Sequence, residues 1–184
     1  MTALVGLLLV AGLVAWSVIT YNMFVKYKNL MAEAWSGIDV QLKRRADLIP
    51  NLVEAVRAYA AHERGTLDAV AALRGAPDDA DPKLRADCER AVTGGLKKLI
   101  ALAEAYPDLK ASRDFLDLQK NLASVEDQLQ MARRYYNGAV RNYNIRAESV
   151  PGNLVAWLAS FRPAEYFEVE SAVEREAPHV ETKP

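Results

Sequence analysis

The chain has 184 residues, 51% of them hydrophobic and 26% charged, with 23 basic against 24 acidic side chains. A net charge of −1 and a sequence pI near 6.2 supply no global attraction to nucleic acid, which is not expected as a partner. One cysteine, Cys88, excludes an internal disulfide and a cysteine-based zinc site, and two histidines, His62 and His179, exclude a three-histidine metal centre.

The charge is unevenly spread. Residues 1–25 carry no charged side chain, and Ala3–Ile19 is almost wholly apolar, built on Leu4, Leu7, Leu8, Leu9, Leu13, Trp16 and Ile19. About 20 helical residues, rising 1.5 Å each, cross a hydrocarbon core about 30 Å thick. Residues 1–25 are therefore expected to be a transmembrane anchor, with Trp16 and Tyr21 suited to the interface. A cleaved signal peptide needs a basic leader and a small-residue cleavage site. No Lys or Arg precedes the apolar run, and Ala15-Trp16-Ser17 imitates such a site poorly, so the retained anchor is preferred. Ala11 and Ala15 form a small-xxx-small pair, read here as generic small residues of a membrane helix. Lys26 and Lys28, followed by Lys43, Arg44 and Arg45, place the bulk of the chain in the cytoplasm by the positive-inside rule.

Residues 26–168 read as an antiparallel bundle of long helices, with 169–184 a flexible acidic tail. The first stripe runs Met31, Trp35, Ile38, Leu42, Ile49, Leu52, Val56 and Tyr59, with Arg45 occupying a seam position. Pro50 withholds an N–H from the Ala46 carbonyl, which predicts a kink or a short break there, with Asp47 able to cap a restarted helix. This helix is expected to end near Arg74, before a Gly/Pro/Asp loop. Asp81 and Pro82 start the next helix, whose stripe is Leu84, Cys88, Val92, Leu96 and Leu99, ending at Tyr106-Pro107. Within it, Gly94-Gly95 marks either a close helix contact or a local loosening. The cleanest pattern runs from Phe115 through Leu118, Leu122, Val125, Leu129, Ala132, Tyr136, Ala139, Tyr143 and Ala147 to Val150, started by Ser112 or Asp114 and ended by Pro151. Asn153–Phe161, with Trp157, reads as a short apolar helix that caps the bundle or dips into a membrane surface; Pro163, Tyr166 and Phe167 follow. Low glycine content and the lack of a hairpin turn between alternating runs argue against an all-β fold.

The chemistry is sparse. His62-Glu63 opens like a metallopeptidase motif, but no second histidine follows four positions later. No phosphate-binding glycine loop and no Gly-x-Ser-x-Gly elbow occurs. Cys88 lies on an apolar stripe and reads as a small buried thiol. A hydrolase using Glu104, Asp108 and His62 is the weakest reading, and no catalytic, cofactor or metal residue is assigned. Two basic clusters stand out: Lys43-Arg44-Arg45, and Arg133-Arg134 with Arg141. An arginine on a seam needs a carboxylate or carbonyl partner, and Glu104, Glu126 and Asp127 are candidates. The structural reading is a buried pair that aligns helices. The functional reading is a surface for anionic lipid or a protein partner, formed by Arg44, Arg133, Arg134, Arg141, Trp157, Phe161 and Phe167.

Several runs resemble the LemA family of bacterial membrane proteins. They are Tyr21-Asn22-x-x-Val25; Ala34-Trp35-x-x-Ile38-Asp39-Val40-Gln41-Leu42-x-Arg44-Arg45-x-Asp47-Leu48-Ile49-Pro50-Asn51-Leu52-Val53; His62-Glu63; Glu104-Ala105-Tyr106-Pro107-Asp108-Leu109-Lys110-Ala111; and Tyr136-Asn137-x-x-Val140-x-x-Tyr143-Asn144. The similarity covers about residues 20–168 and departs at Ala46, where relatives usually carry an aromatic side chain. The resemblance implies a single-pass anchor in the inner (cytoplasmic) membrane, a cytoplasmic helical bundle and no established catalysis. From anchor and heptad pattern together, the expectation is a scaffold that self-associates. The alternative is an accessory subunit of a membrane protease or transporter, docking through the tail or residues 157–167.

Overall fold

The computed structural model describes residues 1–60, 62–73 and 82–167. The described residues form six helices: α1 (Thr2–Arg57), α2 (Arg64–Ala71), α3 (Pro82–Glu104), α4 (Pro107–Lys110), α5 (Arg113–Glu148) and α6 (Gly152–Leu158). No strand occurs among the described residues, so the all-α reading holds.

Pro50 lies inside α1 without ending it. Pro50 and Ala46 are both exposed, so water can serve the carbonyl that the proline leaves without a donor. Of the two outcomes left open at Pro50, a restart capped by Asp47 does not occur. Asp47 has helical neighbours on both sides, and an N-cap needs non-helical backbone. The first helix also stops well before Arg74. His62-Glu63-Arg64-Gly65-Thr66 offers no apolar group to extend the stripe; the helix gives way to a turn at Ala58-Tyr59, Ala60 is buried, and α2 is a separate helix. The expected loop and its Asp81 cap fall outside the described residues. Ser112 sits where an N-cap should, its carbonyl accepting the first bond of α5 from Leu116 N–H at 3.1 Å.

The chain divides into two compact units. The first joins residues 1–47 to 119–166. There α1 and α5 run antiparallel, because contacts that advance along one retreat along the other: Phe24 meets Tyr143, Trp35 meets Tyr136, and Arg45 meets Glu126. The predicted stripe of this part of α5 is buried at Leu122, Val125, Leu129, Tyr136, Ala139 and Tyr143, and leaves the core only at Val150.

The second unit holds the described part of residues 48–118 and Phe167. Its core includes Ile49, Leu52 and Val56 of α1, Leu67 and Val70 of α2, and Val92, Leu96 and Leu99 of α3. At the start of α3 the expected stripe is displaced. Leu84 is exposed and Cys88 half-buried, while Arg85 and Glu89 are buried one helical turn apart. Gly95 resolves the Gly94-Gly95 ambiguity as a close approach, since a Cβ there would stand 2.2 Å from Leu73 Cδ1.

Candidate functional site

Two features of the first unit carry chemistry beyond packing: a charged cluster within the α1–α5 seam and an aromatic cluster at its other end. In the seam, Arg45 is 1% exposed and donates from Nη1 to Glu126 Oε1 at 3.0 Å. Of the three carboxylates offered by the sequence, Glu126 pairs with it. Arg133, one heptad beyond Glu126, is half-buried. Its guanidinium is brought down to about 10, by burial first and by repulsion from Arg45 second, with Glu126 pulling the other way. Arg44 faces outward and donates to Gln128 Oε1 at 3.3 Å. Among the described residues, no group of three or more His, Cys, Asp or Glu side chains could hold a metal ion.

At the other end, Phe24 is fully buried between two rings. It stacks on Phe161 at 4.9 Å between centroids and meets Tyr143 edge-on at 5.8 Å. Tyr21 touches Phe161 at 5.5 Å. Phe161 is delivered by a helix stop of the Schellman type. Ser160 adopts a left-handed φ of 57°, its N–H bonds Trp157 O, and Phe161 N–H bonds Ala156 O. The segment that follows is clipped down by Asn144, which donates from Nδ2 to Ala164 O at 2.9 Å and accepts from Ala164 N–H at 2.8 Å. Tyr136 adds a bond from its hydroxyl to Glu165 O at 3.1 Å. Asn144→Leu is expected to cost about 2–3 kcal/mol, because both backbone groups of Ala164 lose their side-chain partner. Thermal unfolding in detergent reads the loss, and proteolysis accelerated near residue 164 locates it.

Burial raises the Tyr143 phenol, and burial followed by the Glu165 charge raises Tyr136. A raised phenol keeps its proton in the fold after the unfolded chain has lost it. Above about pH 10 the unfolded state is therefore favoured and stability falls as pH rises. Arg133, lowered to about 10, opposes this by favouring the fold as pH rises from there. Melting followed by circular dichroism between pH 9 and 11 should give a steeper decline for the unaltered chain than for Tyr136→Phe/Tyr143→Phe.

The remaining predicted residues fall as follows. Leu4, Leu7, Leu8, Leu9, Leu13 and Ile19 are all more than 60% exposed, and Trp16 is half-buried. α1 is the one helix among the described residues long and apolar enough to cross a membrane, and its exposed N-terminal part points to membrane anchoring. Of the seam residues, Ile38 is buried, Trp35, Leu42, Tyr106 and Asn137 are half-buried, and Pro107 is exposed at the first position of α4. Of the proposed interaction surface, Arg134, Arg141 and Trp157 face outward. Phe161 and Phe167 instead turn inward, Phe167 to 2% exposure, because each finds an apolar site once the chain leaves α6. The acidic tail lies outside the described residues. The sequence reading missed Gly152, where a Cβ would stand 2.6 Å from the backbone oxygen of Arg146. The glycine directly after Pro151 is the signal that could have flagged it.

Comparison with known proteins bears on this architecture. The chain is 25% identical to magnetosome proteins MamQ 1 and MamQ 2 of Paramagnetospirillum magneticum strain AMB-1, over 91% of its length and 72% of theirs. It is 24% identical to magnetosome protein MamQ of Magnetospirillum gryphiswaldense strain MSR-1, over 83% of this chain and 66% of that one. The LemA family pattern matches residues 34–181, from the turn that begins with Ala34-Trp35 through the Pro50, Pro107 and Tyr136-Asn137 runs, and the chain belongs to the LemA family.

Proposed function

We propose that this chain is a non-enzymatic, membrane-anchored scaffold that self-associates at the inner membrane and takes part in organising it. The observation that carries the reading is a second, outward face on α5. Met131, Tyr135 and Ile145 are each more than half exposed, and Gly138 and Asn142 complete their alternating three- and four-residue spacing. A helix already buried on one seam gains little from exposing Met131, Tyr135 and Ile145 on another face unless another helix covers them. Copies anchored by α1 share a plane, which raises their effective concentration for that contact. The magnetosome relatives support a membrane setting, because their name places them with a membrane-bounded organelle.

Mass photometry of the full chain in mild detergent tests this reading. Assemblies are expected, and Tyr135→Glu should shift them toward monomer. A strictly monomeric unaltered protein overturns self-association. The accessory-subunit reading predicts instead a stable complex with a different membrane protein after crosslinking, unaffected by Tyr135→Glu.

A further inference from the structure

Beyond residues 1–25, the longest stretch without a charged side chain is 149–161, which contains α6. The fold sets these two uncharged stretches side by side. Val155 and Ala156 of α6 belong to the buried cluster of Phe24 and Tyr143, and Trp16 packs against that cluster. The opposite face of α6 has nothing over it. Leu154, Trp157 and Leu158, spaced three and four apart, are 57%, 77% and 70% exposed, and Val150 beside them is 83% exposed.

Depth decides what covers that face. Only residues 1–15 of α1 are exposed as an unbroken run. At 1.5 Å per residue that run spans about 22 Å, about 8 Å short of a hydrocarbon core about 30 Å thick. The missing depth is the level of Trp16–Tyr21, where α1 keeps Val18 and Ile19 exposed and packs its other side against the 149–161 segment and the C-terminal part of α5. Cations flank the same level. Lys26, Lys28 and Arg162 are exposed, and Arg146 lies over the Tyr27 ring at 5.9 Å; the carboxylates that flank the 149–161 segment in sequence are Glu148 and Glu165. An apolar face rimmed by basic side chains suits the boundary between acyl chains and phosphates, where a tryptophan is also favoured.

We propose that α6 is seated in the interface of the same bilayer that α1 crosses, with Leu154, Trp157 and Leu158 immersed at the acyl-chain boundary. α1 therefore does not hold the membrane alone; a second element, returned by α5, fixes the height and tilt of the first unit. This inference rests on the anchoring reading above.

The full chain is reconstituted in phosphatidylcholine–phosphatidylglycerol vesicles, with or without bromine on carbons 6 and 7 of the acyl chains. Trp16→Phe/Trp35→Phe leaves Trp157 as the single indole, and Trp35→Phe/Trp157→Phe leaves Trp16. Quenching of both indoles by the brominated lipid, with blue-shifted Trp157 emission, is the expected result. Quenching of Trp16 with unquenched, water-like Trp157 emission overturns the seat of α6 and leaves the anchor standing. Quenching of neither, with the protein released by alkaline carbonate, overturns both. Trp157 emission that is blue-shifted but unquenched means that another copy covers α6, and overturns the inference. A spin label at Leu158→Cys in a Cys88→Ser background keeps every tryptophan: oxygen should relax it more than a water-soluble nickel chelate, and the reverse order overturns the inference.

Discussion

Phe24→Ala is expected to destabilise the chain by about 3–5 kcal/mol, the range for emptying a fully buried phenylalanine site. Phe24 has no exposed surface and is held between the ring of Phe161 and the edge of Tyr143. Its loss removes the apolar contact area and both ring pairings, and leaves Phe161 only the tilted ring of the exposed Tyr21. The cavity cannot close easily, because α1 and α5 are pinned further along by Trp35–Tyr136 and Arg45–Glu126. Phe24→Leu should recover more than half of the loss. Thermal unfolding in detergent measures the cost. Near-ultraviolet dichroism should show the aromatic signal collapsing before the far-ultraviolet helix signal. A cost below about 1 kcal/mol would mean that the ring contributes little to the seam.

Glu126→Gln is the second large effect, with an expected cost of about 3 kcal/mol. The substitution keeps the shape and removes the charge that faces Arg45, which is 1% exposed, and that partly offsets the repulsion between Arg45 and Arg133. Two guanidinium groups then share a seam without the carboxylate between them. Arg45→Met made together with Glu126→Gln should restore most of the stability, because the burial of a charge is removed along with its partner. A double variant no more stable than Glu126→Gln alone would locate the cost in the packing of the glutamate stem instead of its charge.

Much of this was legible in the residues. The α5 stripe from Phe115 to Tyr143 is buried as its spacing predicts except at Leu118 and Ala132, which are half-buried, since strict periodicity leaves one face for the core. Arg45 on a seam demanded a carboxylate or carbonyl partner, and Glu126 supplies a carboxylate. What the sequence could not decide was tertiary. Pro50 carries the mark of a helix break, yet its exposure lets α1 pass through. Leu84 and Cys88 fit an apolar stripe better than their charged neighbours do, yet Arg85 and Glu89 are the buried pair, so tertiary contacts override the apolar pattern there. Phe161 reads as a surface aromatic until the left-handed turn at Ser160 swings it back onto Phe24.

The Arg45–Glu126 pair has a further consequence. A heptad stripe is degenerate: sliding α1 along α5 by seven residues keeps apolar side chains facing apolar side chains. Such a slide would set Arg45 against Arg133, a like charge, or against Gln119, which has none. One ion pair therefore selects a single alignment among several that hydrophobicity would accept. Because the same two helices carry Trp16 and the chain leading to α6, that choice also sets how far α6 stands from the N-terminal end of α1.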